Sequence, residues 1–340
     1  MSSLPLPVVL ITNAVPDEVL APLKGLARVV LGPADGNLMP RAEVLRLAPE
    51  LVGIVNQAEL RVDSELLERA PKLKVVANIS IGVNNLDLAL MQRHGVLATN
   101  VPHAFVESTA DFTLGVLLAV ARRLPEADRY VRAGGWRSFQ PGVWDGALLD
   151  GKTLGLVGYG AIGQAVAQRA RGFGLRILFH QRTPANHPDY VSLERLLGEA
   201  DFVSLHLPLN RDSERLINVA RLAQMKRGAF LINASRGRVV DETALVAALE
   251  SGHLAGAALD VFENEPEVHP ALLTMRNVVL TPHIGGGTRE SRHRARLHCV
   301  NDVARVLAGK RPLNPLNAPV ALLHDGKPLG PILPNENITA

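Results

Sequence analysis

The stretch TLGLVGYGAIGQAVAQRARGFG, residues Thr153–Gly174, decides how this chain folds. It opens with an apolar run typical of a buried strand, and the pattern after it predicts a helix that continues to about Gly172. Between strand and helix lie Gly158, Gly160 and Gly163, with the spacing GxGxxG. The first glycine permits a tight turn, the second lets backbone approach a pyrophosphate, and the third lets the helix pack close to the strand. Because a helix N-terminus attracts phosphate, the stretch predicts a dinucleotide-binding βαβ unit.

Strand and helix patterns alternate over most of the chain, in two separate regions. In the first region, apolar runs predict strands at Val8–Thr12, Arg28–Leu31, Leu51–Asn56, Lys74–Ile79 and Val96–Asn100. In the second region, they predict strands at Thr153–Val157, Leu175–His180, Phe202–Leu207, Ala229–Asn233, Gly256–Val261 and Val278–Leu280. Because helical patterns separate the strands, we predict an α/β protein with two doubly wound parallel-sheet domains.

Two long helical patterns set the expected domain boundaries. Ser108–Arg123, STADFTLGVLLAVARR, predicts a buried helix that links the domains, since its apolar part is too short to span a membrane. The helix predicted at Arg289–Leu307 returns to the first domain, which is therefore discontinuous. We expect a first domain from residues 1–101 and 290–317, a dinucleotide-binding domain from residues 102–289, and a C-terminal tail from residues 318–340.

The composition indicates a soluble protein without a nucleic-acid partner. The 340 residues are 47% hydrophobic, enough for two cores, and the net charge of +3 is too small and dispersed for a nucleic-acid surface. The densest basic stretch, Ser291–Arg296, has the helical spacing of a solvated or interface face. The single cysteine, Cys299, excludes a disulfide framework and a thiolate metal site. The amino terminus lacks the positive region of a signal peptide, so we expect a cytoplasmic protein with no membrane partner.

Three ionisable residues follow three of the strands predicted in the second region. They are Arg236 in NASRGRVVDE, Glu265 in LDVFENEP and His283 in VVLTPHIGGG, called the ionisable trio below. Because parallel strands present their carboxyl ends at one edge of a sheet, we expect these side chains to lie together. An imidazolium can protonate a carbonyl oxygen, a neighbouring carboxylate keeps it charged, and a guanidinium binds a carboxylate by two hydrogen bonds. The trio therefore predicts reduction of a 2-keto acid.

The end of the second strand after the glycine motif indicates which coenzyme is bound. An Asp or Glu about 20 residues after GxGxxG normally accepts hydrogen bonds from the adenosine ribose of NAD. Here the strand ends in Gln181-Arg182-Thr183, without an acid. Arg182 would pair with a ribose 2′-phosphate and Thr183 could donate to it. The sequence therefore favours NADP(H), with NAD(H) as a possible alternative.

Taken in order, these motifs resemble the D-isomer-specific 2-hydroxyacid dehydrogenase family. The resemblance rests on GYGAIGQAVAQRARGFG, HLPL, MKRGAFLINASRGRVVDETAL, GAALDVFENEP and TPHIGG, and it extends to about Asn317. It implies a flavodoxin-like substrate domain, a Rossmann coenzyme domain, a cleft between them, and a homodimer joined through the coenzyme domains. STADFTLGVLLAVARR resembles the glyoxylate/hydroxypyruvate reductase branch in particular.

The resemblance also implies roles for residues at matching positions. Arg236 would bind the substrate carboxylate, His283 would be the general acid in reduction, and Glu265 would be its partner. The N–H groups of Ile81, Gly82 and Val83 would also bind the carboxylate, and we expect Gln57 to border the pocket.

The same resemblance, with the glycine motif and the strand end after it, defines the expected coenzyme site, which contains no metal. In it Thr109 would contact a phosphate, Asp260 the nicotinamide amide, and Ala234 and Ser235 the nicotinamide side. Its residues are Thr109, Gly158, Gly160, Ala161, Ile162, Gly163, Gln181, Arg182, Thr183, His206, Ala234, Ser235, Asp260, His283 and Gly285.

The substrate stays open at this stage. We expect a small 2-keto acid of the glyoxylate or hydroxypyruvate type, reduced to the D-2-hydroxy acid. The alternatives are a larger 2-keto acid, such as 2-ketogluconate or phenylpyruvate, and a nucleotide-sensing corepressor on the same fold.

An aromatic-rich loop between Gly134 and Trp144 carries a further expectation. Trp136, Phe139 and Trp144 lie within it, in a chain that is only 4% aromatic. Such rings are seldom left in water, so we expect them to pack either on the chain's own helix or on a second subunit. In the second case Phe139 is the candidate to reach the partner's substrate site.

Overall fold

The computed structural model describes residues 5–57, 59–317, 323–324 and 327–328. Contacts between Cα atoms divide the chain into two compact units, Met1–Phe105 with Thr288–Ala340, and Val106–Gly287. The first unit is thus built from two separated segments. The expected tail, residues 318–340, lies outside the described residues except for the short antiparallel strands Leu323–His324 and Lys327–Pro328.

The first unit is organised around a five-stranded parallel sheet. Its strands β1 to β5 are Val8–Ile11, Arg28–Leu31, Leu51–Asn56, Val75–Asn78 and Leu97–Thr99. Their order across the sheet is β2-β1-β3-β4-β5, which is the order of flavodoxin-like folds. Strands β1 and β4 are buried at every position, which explains why they are continuous apolar runs rather than alternating ones.

Helices pack on the two faces of this sheet. Helices α1 to α3 are Arg41–Leu47, Ser64–Arg69 and Leu88–Arg93. Carboxylates begin two of them: Asp63 accepts from Leu66 N at 3.2 Å and Asp87 accepts from Leu90 N at 2.9 Å. The segment between β1 and β2 forms a short 3₁₀ helix, Asp17–Leu23, rather than an α-helix. It contains a proline, which lacks the N–H that an α-helix interior needs.

The second unit contains a six-stranded parallel sheet. Strands β6 to β11 are Thr153–Val157, Arg176–His180, Phe202–Leu205, Phe230–Asn233, Gly256–Leu259 and Val278–Leu280. Their order is β11-β10-β9-β8-β6-β7, and an isolated parallel bridge joins Phe179 of β7 to Tyr190. If the bridge at Tyr190 is counted as an outermost strand, the strands in chain order have the arrangement 3-2-1-4-5-6 of Rossmann folds, with β11 as one further strand at the other edge.

Seven α-helices and the 3₁₀ helix Gly237–Val239 are described in this unit, and one further α-helix belongs to the second segment of the first unit. Helices α4 to α10 are Val106–Ala121, Leu124–Arg132, Ala161–Arg171, Leu193–Glu199, Val219–Gln224, Glu242–Glu250 and Pro270–Thr274; α11, in the first unit, is Arg289–Leu307.

The long helix α4 is buried within the second unit. It packs in one apolar cluster with β6 and α6, and Arg169 of α6 binds both Glu107 and Asp111 of α4 at 2.6 Å. Within the described residues, none of the helices combines the length and apolar character that crossing a bilayer requires.

Candidate active site

The glycine loop between β6 and α6 has the geometry that its sequence predicts. Gly158 has a φ of +98°, and a Cβ there would lie 2.4 Å from the carbonyl oxygen of His206. A Cβ at Gly163 would lie 2.4 Å from the oxygen of Gly158. Both positions therefore require glycine. At Gly160, by contrast, a Cβ would meet nothing within 4 Å. The open face at Gly160, together with the first N–H groups of α6, fits the approach of a pyrophosphate.

Arg182 lies in the loop that follows β7 and is available to a ligand. Its side chain is 82% exposed, and Nη1 lies 3.5 Å from Oδ2 of Asp212, which is 74% exposed. An ion pair this exposed contributes little to stability, so a phosphate can displace it. The neighbouring Gln181 donates from Nε2 to the oxygen of Thr183 at 3.0 Å. Asp212 comes from the segment after β8, so the sequence near Arg182 gave no sign of it.

His206 lies where β8 ends, next to the glycine loop. Its Nε2 is 2.9 Å from Oγ of the buried Ser204. Burial lowers the pKa of His206 to about 4, so the ring is uncharged near neutral pH. A neutral imidazole is suited to hydrogen bonding beside an anionic coenzyme rather than to carrying charge.

The structure brings the ionisable trio together in the second unit. Nδ1 of His283 lies 2.9 Å from Oε2 of Glu265, whose Oε1 accepts from Phe262 N at 3.0 Å. The hydrogen bond to Glu265 raises the pKa of His283 against the opposing effect of burial. Burial acts to raise the pKa of Glu265, but the hydrogen bond and charge of His283 outweigh it, so the pKa is lowered. The pair therefore favours an imidazolium beside a carboxylate.

Arg236 faces the same pair. Its Nη1 donates to the carbonyl oxygen of Ser235 at 2.7 Å, and the Arg236 carbonyl oxygen accepts from Asn233 Nδ2 at 3.1 Å. Its positive charge acts to lower the pKa of both Glu265 and His283. These contacts hold the guanidinium near enough for its charge to act on both members of the pair.

The loops that carry Arg236 and Glu265 are in backbone contact, which the sequence did not reveal. A Cβ at Gly237 would lie 1.8 Å from the carbonyl oxygen of Phe262, so only glycine fits there. The buried Glu242 accepts from the N–H of Glu263 at 2.5 Å. Gly237 and Glu242 therefore support the segment that holds Glu265, and the only signal for them was their place in NASRGRVVDE.

Asp260 holds the turn that carries His283. One carboxylate oxygen accepts from Thr281 Oγ1 at 2.7 Å and Ile284 N at 2.8 Å, and the other accepts from Gly285 N at 2.7 Å. The N–H of His283 also donates to the Asp260 carbonyl oxygen at 2.9 Å. This turn fixes His283 at a φ of +53°, which is uncommon for a residue other than glycine. The contact of Asp260 with a nicotinamide amide stays a prediction.

The remaining residues predicted for the second unit differ in exposure. Thr109 and Ser235 are buried, whereas Ala234 is half-buried. Phe139 is 86% exposed. In the same loop Trp136 is 64% exposed, whereas the ring of Trp144 lies 4.8 Å from that of Tyr130 and 5.0 Å from the Arg123 guanidinium.

The other predicted substrate residues lie at the carboxyl edge of the first unit's sheet. Gln57 follows β3, and its N–H donates to Thr12 Oγ1 at 3.0 Å. Its Oε1 is buried and has no hydrogen-bond partner among the described residues. Ile81, Gly82 and Val83 follow β4, the neighbouring strand, and are half-buried. In the same described part of the chain, no group of three or more His, Cys, Asp or Glu residues is placed to hold a metal ion.

A glycine loop at the switch point of a Rossmann sheet, with an imidazole–carboxylate pair and an arginine at the same sheet edge, defines a nicotinamide-dependent oxidoreductase. The family model of the D-isomer specific 2-hydroxyacid dehydrogenase, NAD binding domain, matches residues 114–285. Glyoxylate reductase of Thermococcus litoralis is 40% identical over 324 residues, which cover 92% of this chain and 98% of that protein. The chain belongs to the D-isomer-specific 2-hydroxyacid dehydrogenase family.

Solved structures agree with this assignment. The TT0316 protein from Thermus thermophilus is 45% identical, with a TM-score of 0.87 over 91% of this chain and 99% of that one. The NADPH-dependent glyoxylate/hydroxypyruvate reductase from Sinorhizobium meliloti, solved with NADP and malonate, is 31% identical, with a TM-score of 0.80 over 91% of this chain and 96% of that one. The predicted family and fold class are confirmed.

Proposed function

We propose that this protein reduces a small 2-keto acid of the glyoxylate or hydroxypyruvate type to the 2-hydroxy acid, with the D configuration where the product is chiral. The hydrogen bond between His283 and Glu265, with Arg236 beside it, is the observation that carries the proposal. The relatives support the substrate class, since several proteins at about 40% identity are named glyoxylate reductases.

We infer one task for each member of the trio. Nδ1 of His283 is occupied by Glu265, which leaves Nε2 as the atom that gives a proton to the substrate carbonyl oxygen. Glu265 stabilises the imidazolium before the transfer and holds the ring in place. Arg236 binds the substrate carboxylate and polarises the keto oxygen. The bound nicotinamide coenzyme supplies the hydride.

The first unit is proposed to contribute to substrate binding. The N–H groups of Ile81, Gly82 and Val83 are donors for the substrate carboxylate. The unpaired Oε1 of Gln57 is an acceptor suited to a hydroxyl group such as hydroxypyruvate carries.

The coenzyme is proposed to be NADP(H), with NAD(H) accepted less well. The open face at Gly160 fits the pyrophosphate. The exposed Arg182 fits the ribose 2′-phosphate, and Gln181 and Thr183 flank it. The same proposal includes the other predicted contacts with the coenzyme, which are at Thr109, Ala161, Ile162, His206, Ala234, Ser235, Asp260 and Gly285.

We also propose that the protein is a cytoplasmic homodimer. Within one stretch of the second unit, six large apolar side chains are exposed: Leu124, Val131, Trp136, Phe139, Val143 and Leu148. We infer that these side chains form an apolar patch of the kind that marks a protein interface, and a second copy of the chain is the partner that the family suggests.

The direct test is a substrate panel with the purified protein. Glyoxylate, hydroxypyruvate, 2-ketogluconate and phenylpyruvate are each mixed with NADPH and with NADH, and coenzyme oxidation is followed by absorbance. We expect the fastest turnover with the two small acids, and almost none in His283→Asn, which still binds coenzyme. Faster turnover of the larger acids would favour the alternative substrate class. Coenzyme binding without turnover of any keto acid would favour a nucleotide sensor.

A further inference from the structure

In the loop that follows β4 in the first unit, residues 79–85, three successive carbonyl groups each accept hydrogen bonds. The Ser80 carbonyl oxygen accepts from the N–H of Val101 at 3.2 Å. The next one, of Ile81, accepts from Nδ2 of Asn100 at 2.8 Å. The third, of Gly82, accepts from Nδ2 of Asn78 at 3.1 Å and from Oγ of Ser80.

These bonds also set the direction of the N–H groups. In a trans peptide unit the C=O of one residue and the N–H of the next point in opposite directions. Holding the carbonyls of residues 80, 81 and 82 therefore fixes the direction of the N–H groups of Ile81, Gly82 and Val83, each pointing away from the donor that the carbonyl of its peptide unit binds. Across the described residues, none of these three N–H groups donates a hydrogen bond within the protein. They are three consecutive donors, each oriented and each unused within the described residues.

The side chains of Asn78 and Asn100 are themselves held in place. Asn78 is fully buried and exchanges hydrogen bonds with the side-chain amide of Asn85, at 3.1 and 3.0 Å. Asn85 also donates to the Leu60 carbonyl oxygen at 3.0 Å. Asn100 is 7% exposed. A buried network whose members satisfy one another keeps a single arrangement, because breaking any bond leaves a buried polar group unpaired.

We propose that Asn78 and Asn100 are positioning residues for substrate recognition: they orient the peptide groups of residues 81–83 so that the N–H groups bind the substrate carboxylate. This inference rests on the proposed keto-acid reductase function. It requires the side-chain amide specifically, because a carboxylate at either position would repel the carbonyl oxygen that the amide now binds. With the donors already oriented, the loop loses little conformational freedom when the anion binds.

The test compares Asn100→Ala, Asn100→Asp and Asn78→Ser with the wild-type protein. The matched control is Asn301→Ala, since Asn301 also donates to a backbone carbonyl oxygen, that of Leu297 at 2.8 Å, but within α11. We measure KM and kcat for glyoxylate, the inhibition constant of oxamate, the Kd of NADPH and the melting temperature.

We expect Asn100→Ala and Asn78→Ser to raise both KM and the oxamate constant about tenfold. Asn100→Asp, which keeps the shape but removes the donor, should raise them further. kcat should fall only severalfold, the Kd of NADPH should stay within about twofold, and Asn301→Ala should change only the melting temperature.

Unchanged KM and oxamate binding in folded Asn100→Ala and Asn78→Ser would overturn the inference, as would an equal loss of NADPH binding. A wild-type protein that turns over no keto acid would refute the proposed function instead. In that case calorimetric titration of the same variants with oxamate still decides whether the asparagines orient an anion-binding loop.

Discussion

At the scale of single residues, the His283–Glu265 pair determines the expected pH dependence. Reduction needs the imidazolium, so activity is present below the pKa of His283 and falls as the pH rises through it. Glu265 raises that pKa. We expect Glu265→Gln to move the falling limb of kcat/KM for glyoxylate reduction to lower pH, because the carboxylate that favours the imidazolium is lost. The measurement is the pH–rate profile of both proteins from pH 5 to 10, and a profile that does not move would show that Glu265 does not set the working pH.

Arg182 supports a second prediction at this scale, about coenzyme choice. Arg182→Ala removes a charge-assisted hydrogen bond to the 2′-phosphate, worth about 1.5–3 kcal/mol. We expect KM for NADPH to rise about tenfold or more and KM for NADH to stay nearly constant. Arg132→Ala is the control, because Arg132 is also an exposed arginine paired with an aspartate. An equal loss with both coenzymes would refute the assignment.

At the scale of elements, Gly237 lies where the loop of Arg236 contacts the backbone of the loop that carries Glu265. Gly237→Ala places a Cβ against the backbone of Phe262, so the loops of Arg236 and Glu265 must separate. We expect a loss of unfolding free energy of about 1–3 kcal/mol and a fall in kcat, measured by denaturant titration and steady-state kinetics. Gly115→Ala, at an open exposed position of α4, should be neutral or stabilise by about 0.5–1 kcal/mol. Equal behaviour of the two variants would argue against the close contact.

The elements also show what could be predicted from the sequence. The parallel strands were predictable because burial on both faces leaves a continuous apolar run. The proximity of the trio was predictable because each member lies in the segment that follows such a strand. Helix α5 was not predicted, because Arg122-Arg123 resembles the end of a solvated helix. The chain in fact turns at Arg123, whose φ is +55°, and a new helix starts with Leu124 and Pro125. Asp212, Gly237 and Glu242 act through contacts between distant segments, which no local pattern records.

At the scale of the whole molecule, the exposed apolar patch around α5 supports a prediction about assembly. Phe139 is the most exposed of these side chains. If it reaches the substrate site of a second subunit, Phe139→Ala should change the ratio of glyoxylate to phenylpyruvate turnover and leave the dimer intact, since the other five apolar residues remain. Turnover ratios and sedimentation equilibrium measure the two effects, with Phe173→Ala as the control for an exposed phenylalanine elsewhere. No change in either measurement would place Phe139 outside the substrate site.

The two-segment construction of the first unit has a consequence for how the chain is made on the ribosome. One face of its sheet, with Val9, Val55 and Val75, is covered by Ala295, Cys299 and other residues of α11. That helix leaves the ribosome only after the whole inserted unit has been synthesised. Until then the apolar face stays open to solvent and to other nascent chains. We expect a chain that stops at residue 287 to aggregate or to bind chaperones, whereas one that stops at residue 317 stays in solution; centrifugation of in vitro translation products at the two lengths would show the difference.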